Sequence, residues 1–172
     1  MPKSTFARIS LTILAASALA ACGDSATEVD AEAPAEDVAA TGDVDMAVIE
    51  QRQANYEEIG DNFKIIRDQL ESGNPDFAAA TAAAQTIQTD AAKIHDFFPA
   101  GTGIDSGADT EALEAIWEQP EQFQEAIVRL ETASAELVTA ANSGDASALE
   151  AASMNLGGAC KNCHDSFRLA DD

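Results

Sequence analysis

The sequence predicts an all-α protein whose single domain is an antiparallel up-and-down four-helix bundle. Alanine is abundant, whereas the 172 residues include only one Trp and one Tyr, a balance that favours packed helices over sheet. Apolar residues recur with helical spacing in four segments that turn signals separate. The short links within the first and the second pair of segments make the paired helices antiparallel neighbours.

The first two helices form the first predicted pair. The first helix runs from about Met46 to Glu71, and "SGNP" ends it. The second helix is predicted to have Asn74 as its N-cap, Pro75 as its first helical residue and Pro99 as its end. Apolar positions seven residues apart define the inner faces of both helices: Ile49, Tyr56, Phe63 and Leu70, then Phe77, Ala84, Ala91 and Phe98.

The last two helices follow a loop and a short turn at "TEALEAIW". The third helix opens at Pro120 and ends at "NSGD", and the fourth starts near Asp145. Their predicted inner residues are Phe123, Ile127, Leu130 and Leu137, then Leu149, Leu156 and Phe167.

Residues 1–21 have the features of an export signal: two basic residues, a short apolar run and small residues before Cys22. The "LAAC" string resembles a bacterial lipoprotein signal, after which Cys22 would be the lipid-bearing N-terminus. The alternative is an ordinary secretory signal cut near Ala20 or Ala21, which would leave Cys22 as an odd free thiol. Both interpretations predict a protein that works outside the cytosol.

Residues 22–45 are predicted to be an acidic flexible tether to a domain that spans residues 46–172. Eight acidic residues, no basic one and almost no large apolar side chain stand in this stretch. Without the signal, the chain has seven basic and 31 acidic residues and hence a net charge of −24. This charge makes nucleic acid and anionic lipid surfaces poor partners, so membrane contact is expected only through the lipid anchor.

The string "GGACKNCHDSFR", residues 157–168, contains the residues that could form a redox pair, a metal site or a haem attachment site. On a helix, Cys160, Cys163 and His164 would project to one side within about one turn. A thioredoxin-like redox pair would need strands, and a structural zinc site would need four ligands, which the chain does not supply. The spacing therefore indicates one covalently bound haem c, held by thioethers to both cysteines, with His164 as the axial iron ligand.

A second protein ligand for the iron is not expected. Residues 165–172 contain no Met, His or Lys, so a ligand would have to come from upstream. Met154 shares the helix of His164, and Met46 lies about 15 Å along its helix from Tyr56. His95 is better placed to interact favourably with the dipole at the C-terminus of the second helix than to bind iron.

Two residues interrupt the inner face of the first helix. A buried Arg52 would need an anion, unless it reaches water from a frayed helix end or meets one of the many acids. Tyr56 would lie at the centre of the same face, where it could also be a core aromatic residue.

The chain resembles cytochrome c′, the class II cytochromes c, over residues 46–170. The resemblance rests on "EQRQANYEEIG", "FPAGTG", "TEALEAIWEQPEQF", "AANSGD" and "GGACKNCHDSFR", in the order of the family. It implies that Arg52 lies beside a haem propionate, with Gln53 and Glu111 as further haem-edge contacts.

The resemblance also implies that Tyr56, with Ile49, covers the distal face of the iron and that Arg168 is the basic residue of the proximal pocket. A neutral phenol is a poor iron ligand at pH 7, so five-coordinate, high-spin iron is expected.

The implied function is the binding of nitric oxide or carbon monoxide, with nitric oxide scavenging. The alternative is a periplasmic single-electron carrier with a redox partner protein. An enzyme is not expected, since no second distal acid or base is visible. A homodimer through the first two helices is usual in the family.

Overall fold

The computed structural model describes residues 46–170, and four long helices form the body of that region. No strand longer than an isolated bridge occurs within these residues. The predicted all-α fold is confirmed. The helices are α1 (Met46–Glu71), α2 (Phe77–Ala91), the short α3 (Ala115–Glu118), α4 (Pro120–Ser143) and α5 (Ala146–Phe167).

The start of α2 differs from the prediction. Asp76, rather than Asn74, is the N-cap, and its Oδ1 accepts hydrogen bonds from the backbone N–H groups of Ala78 at 2.9 Å and Ala79 at 3.2 Å. Pro75 therefore precedes the helix instead of opening it. A carboxylate that satisfies two of the free N–H groups of the first turn fixes the start of the helix there.

The end of α2 also differs, because the helix stops at Ala91 and not at Pro99. A 3₁₀ turn, Ile94–Phe97, follows it. The carbonyls of Phe97 and Phe98 accept hydrogen bonds from side chains elsewhere in the fold instead of continuing the helix. The periodicity of the apolar residues continues through this turn, which is why the sequence predicted a longer helix.

The predicted break between the third and fourth helices is confirmed at residues 144 and 145. Gly144 has a left-handed backbone with φ 70°, which a residue without Cβ adopts at little cost. Asp145 then caps α5 by accepting from the N–H groups of Ser147 and Ala148.

The core lies between α2, α4 and α5 and the inner face of α1. Three of the four side-by-side helix pairs pack closely along their lengths: α1 with α2, α2 with α4, and α4 with α5. The fourth pair, α1 with α5, makes far fewer contacts. Fully buried core side chains include Ile66, Ile87, Leu137, Leu149 and Leu156.

None of the helices between residues 46 and 170 has the length and apolar character that a membrane span requires.

Candidate functional site

The two cysteines of α5 face the core at the side of the helix that looks toward α1. Cys160 and Cys163 are half-buried, pack against core residues and are not joined in a disulfide. Burial, followed by the neighbouring Cys160, raises the pKa of the Cys163 thiol to about 11, and burial also raises the pKa of Cys160. His164 is exposed on the next position of the helix.

Tyr56 on α1 lies near this cysteine pair. Burial is the main cause that raises its pKa above 10.0, and the nearby Cys163 and Cys160 thiols act in the same direction. Arg52 lowers the pKa of Tyr56, by less than burial raises it. The structure thus brings the predicted distal residue and the predicted attachment residues together from helices more than a hundred positions apart in sequence.

The space between α1 and α5 is the open side of the bundle. Tyr56, Cys160 and Cys163 each keep an accessible surface although protein surrounds them closely enough to raise their pKa values. Further along the helices, α5 has a glycine, Gly157, whose absent Cβ would lie 3.6 Å from the Phe63 ring of α1. The two helices are therefore close at Gly157 but make few contacts elsewhere. We call the thinly packed side between α1 and α5, where the cysteines lie, the crevice.

Arg52 is the most extensively bonded side chain at the rim of this crevice. Its Nη1 donates to the carbonyl of Phe97 at 3.2 Å and to Thr102 Oγ1 at 3.1 Å. Its Nη2 donates to the carbonyl of Thr102 at 2.8 Å and to Thr110 Oγ1 at 2.7 Å. The guanidinium also lies over the Phe98 ring, 4.8 Å from its centroid. One side chain of α1 thereby fixes the loop that leads from α2 to α3.

The charge of Arg52 is not neutralised by the residues that bind it. Arg52 is only 3% exposed, which contradicts the alternative of a frayed end in water. All four acceptors are uncharged, and no carboxylate between residues 46 and 170 forms an ion pair with it. Burial lowers the pKa of the guanidinium, as expected for a desolvated cation. An anionic group that entered the crevice would meet a buried cation with no counter-ion.

Ile49 and Gln53 flank Arg52 on α1. Ile49 is 1% exposed and supplies an apolar wall. Gln53 is exposed, and its Nε2 donates to the carbonyl of Asp109 at 2.7 Å, so that it joins Arg52 in holding the same loop.

Glu111 and Arg168, which the sequence assigned to separate contacts, pair with each other. Arg168 Nε donates to Glu111 Oε2 at 2.5 Å. This hydrogen bond is the main reason that the pKa of Glu111 falls below its ordinary value. The backbones are also joined, because the N–H of Leu169 donates to the Glu111 carbonyl at 2.8 Å and that of Leu113 to Phe167 at 3.0 Å. Arg168 lies just after α5 and its backbone is extended.

Aromatic residues seal the end of the bundle next to this loop. The Phe98 and Phe123 rings pack edge to face at 4.8 Å, and Phe123 packs in the same way against Phe167 at 5.2 Å. Trp117 donates its Nε1 hydrogen to the Phe98 carbonyl at 3.1 Å. Trp117 and Phe167 are therefore packing residues at this end of the bundle.

Sequence reasoning missed three residues of the loop: Thr102, Gly103 and Thr110. The two threonines accept from Arg52, and a loop threonine carries no sequence signal for a partner fifty positions away. Gly103 has backbone angles that any residue can adopt, φ −89° and ψ −175°. Space is what requires glycine, because a Cβ would lie 2.7 Å from Trp117 Cζ3 and would overlap the Glu114 carboxylate.

The cytochrome C′ family model matches residues 47–168, which include α1, the loop, and α5 with its cysteine pair. The chain belongs to this family. A cytochrome c′ from Pararhodospirillum photometricum is 32% identical over 123 residues, which cover 71% of this chain and 96% of the relative. The chain spans less than two thirds of the length of two cytochromes c-554 from Cereibacter sphaeroides, 63% and 56%, to which it is 37% and 38% identical.

Solved structures support the fold. The crystal structure of cytochrome c′ from Thermochromatium tepidum superposes with a TM-score of 0.67 and 30% identity, over 72% of this chain and 95% of that one. A nitric oxide complex of a mutant cytochrome c prime from Alcaligenes xylosoxidans superposes with a TM-score of 0.65 and 25% identity, over 73% of this chain and 96% of that one.

Membership in the cytochrome c′ family establishes a covalently attached haem c as the cofactor. Cytochromes c′ are typically periplasmic, and they are haem proteins that carry electrons or bind gases rather than typical enzymes. The described residues fit the haem: a thinly packed side between α1 and α5, two unpaired cysteines on that side and a buried Arg52 that forms no ion pair within residues 46–170. The carboxylates of a haem are the kind of anion that this cation lacks.

Proposed function

We propose that this protein binds small neutral gases, nitric oxide above all, at a five-coordinate, high-spin haem iron and that it scavenges nitric oxide. Tyr56 carries the proposal. Its side chain lies near the cysteine pair, and burial raises its pKa, so at neutral pH it presents a neutral phenol instead of an iron-binding group. His164 would hold the iron of the bound haem, and the haem would supply a metal that can bind a small gas.

The residues of the crevice would select the ligand. Ile49 is fully buried, and Tyr56 packs against core residues, so the distal side offers apolar surface and little room for hydrating water. Entry of an anion would require the loss of its hydration, whereas nitric oxide and carbon monoxide carry no charge. A nitric oxide complex of a family member with 25% identity supports the choice of ligand.

The same proposal assigns the haem contacts. Cys160 and Cys163 would form the thioethers, and exposed His164 would be the axial ligand. Arg52 would bind a propionate, which is the anion that its uncharged partners do not supply. Gln53 and Glu111 would border the haem edge, and Arg168, held by Glu111, would be the cation nearest the proximal side.

The optical and EPR spectra of the purified haem protein test this function. We expect a high-spin ferric spectrum at pH 7, and ferrous protein that binds nitric oxide and carbon monoxide, while the ferric protein binds cyanide or azide only weakly. Tyr56→Phe is the matched variant, since it keeps the ring and removes the hydroxyl, and it should remain high-spin. Tyr56→Met introduces a thioether that can bind iron and should shift the spectrum toward low-spin.

A low-spin ferric spectrum of the unmodified protein would overturn the five-coordinate assignment. It would favour the alternative, a periplasmic single-electron carrier with a redox partner protein. Turnover of peroxide at rates above those of free haem would contradict the absence of enzymatic activity.

The proposed location is the periplasm, with a lipid anchor at Cys22 and a tether of residues 22–45 that lead to the bundle. These residues lie outside the described range, so the proposal rests on their sequence. Cys22→Ala should move the protein from the membrane fraction to the soluble periplasmic fraction without changing its haem spectrum. Equal membrane retention of both forms would contradict the anchor.

A homodimer through α1 and α2 is also proposed. The outward surface of α2 is uncharged although the chain carries a net charge of −22, because the single charged residue of this helix, Asp90, is buried. Ile65 of α1 adds an apolar side chain that is 41% exposed. The exposed residues of α2 are Ala78, Ala82, Gln85, Gln88 and Thr89. Ala82→Glu should lower the molar mass measured by light scattering from dimer to monomer, whereas a monomeric parent protein contradicts the proposal.

A further inference from the structure

Two threonines of the loop, Thr102 and Thr110, bind the same guanidinium but use their hydroxyl protons differently. Each hydroxyl has one proton to donate and two lone pairs to accept with. The partners of each oxygen therefore show whether its proton is still available to a ligand.

The proton of Thr102 is committed within the protein. Thr102 is 2% exposed, and its Oγ1 donates to the Pro99 carbonyl at 2.9 Å. The same oxygen accepts from Arg52 Nη1 at 3.1 Å. Thr102 therefore orients Arg52 and has no proton left for a ligand.

The proton of Thr110 has no acceptor among residues 46–170. Its Oγ1 accepts from Arg52 Nη2 at 2.7 Å and from the backbone N–H of Ala112 at 3.3 Å, and the structure gives no bond that this hydroxyl donates. Two donors occupy its lone pairs, so its O–H is directed away from both. Thr110 is half-buried, beside Arg52, which forms no ion pair with any carboxylate of residues 46–170.

A carboxylate complements this pair of groups. It can accept at the same time from a hydroxyl and from the Nε–H of Arg52, the one guanidinium N–H that the loop contacts leave over, and hydrogen bonds to a charged acceptor are stronger than those to a neutral one. Water can accept the hydrogen bond of the Thr110 hydroxyl when no carboxylate is bound. A bound carboxylate would therefore replace a hydroxyl–water hydrogen bond with a charge-assisted one.

Resting on the proposed haem site, we propose that the Thr110 hydroxyl donates a hydrogen bond to the haem propionate that Arg52 binds, whereas Thr102 only positions the guanidinium. Thr110 is thus a haem-binding residue, and Thr102 is a positioning residue.

The midpoint potential of the haem-loaded protein, measured against pH, tests this assignment. Ionisation of the propionate gives a pH-dependent step in that potential. Removal of a donor destabilises the carboxylate, so Thr110→Val should raise the propionate pKa, with about a tenfold decrease in its acid dissociation constant. Thr110→Ser keeps the hydroxyl and should restore the parent curve. Thr110→Ala replaces Thr110→Val if the latter does not retain haem.

Thr102→Val is the matched control, because it deletes the same hydroxyl from the same loop. We expect it to lower the thermal unfolding midpoint and to move the step less than Thr110→Val does. If Thr102→Val moves the step as far, the effect runs through Arg52 and the donor role of Thr110 is wrong. A Thr110→Val curve that superimposes on the parent curve also overturns it.

Arg52→Gln separates this inference from the proposed haem site. If Arg52→Gln moves the step and Thr110→Val does not, only the inference about Thr110 fails. If neither moves it, the propionate contact of Arg52 fails as well.

Discussion

Arg52 and Tyr56 on α1 are held by contacts inside the protein, whereas His164 and Arg168 near the end of α5 lie at or near the surface. Arg52 is 3% exposed and has four hydrogen bonds to the loop, while the Arg168–Glu111 pair has side chains that are 38% and 51% exposed. The proposed distal side is therefore a rigid wall, and the proposed proximal side is a solvated edge. Substitutions on the proposed distal side should therefore lower the free energy of unfolding much more than substitutions on the proposed proximal side.

The largest effect is expected for Arg52→Met. Four oxygen acceptors lose their donor, and those of Thr102 are buried, so urea unfolding should show a loss of about 3 kcal/mol. Arg67→Met is the control on the same helix, because Arg67 is exposed and, within residues 46–170, forms no hydrogen bond or ion pair, only a cation–π contact with the Phe63 ring. Its loss should stay within about 0.5 kcal/mol. Equal losses for the two variants would remove the contrast between buried and exposed arginines.

Gly103→Ala should have the next largest effect. The added Cβ meets Trp117 at 2.7 Å and the Glu114 carboxylate, and forced repacking of this kind costs about 1 to 3 kcal/mol. Gly60→Ala in α1 is the control, since no atom lies within 4 Å of its Cβ position. That change should stabilise the helix by up to about 1 kcal/mol. Thermal unfolding of both variants measures the difference, and a Gly103→Ala protein as stable as the parent contradicts the tight fit.

Glu111→Gln should have a small effect because its ion pair is exposed. Arg168 lowers the pKa of Glu111 below 4.5, so the ionised carboxylate stabilises the folded state above the unfolded-state pKa. That contribution is lost as the pH falls through the lower folded-state value. The parent protein should exceed the variant by less than about 1 kcal/mol at pH 7, and the difference should shrink below pH 4.5.

Glu121→Gln is the control for this pH dependence, since Glu121 forms no ion pair among residues 46–170. It removes one carboxylate without removing an ion pair, so the difference between the two variants isolates the contribution of the Arg168–Glu111 pair. A Glu111→Gln effect that grows on acidification has the wrong sign for the proposed pair.

The smallest effect concerns the titration of Tyr56. Burial raises its pKa above 10.0, so the phenol stays neutral as the pH passes that value. The ferric spectrum should show no tyrosinate-to-iron charge-transfer band up to pH 10, and Tyr56→Phe should titrate identically in this range. A band that appears near pH 10 in the parent and not in Tyr56→Phe would place an ionisable phenol at the iron.

Much of the fold could be predicted because helix-forming information is local. The bounds of α1 match the prediction, and Pro120 opens the third long helix, α4, as expected. The Cys-x-x-Cys-His string likewise carries its own chemistry within five residues. The error at the end of α2 has the same origin: apolar periodicity continues through Ile94 and Phe98, but the Phe97 and Phe98 carbonyls bind the distant Arg52 and Trp117 side chains.

The sequence by itself determined the four helices, the buried faces and the cysteine motif, since periodicity and spacing depend on near neighbours. Only the tertiary structure decided which groups meet: Arg52 with Thr102 and Thr110, 50 and 58 positions away, and Glu111 with Arg168, 57 positions away. The open side between α1 and α5 was also decided there. Such pairings depend on how the packed helices bring distant loops together, and no local pattern of residue types specifies them.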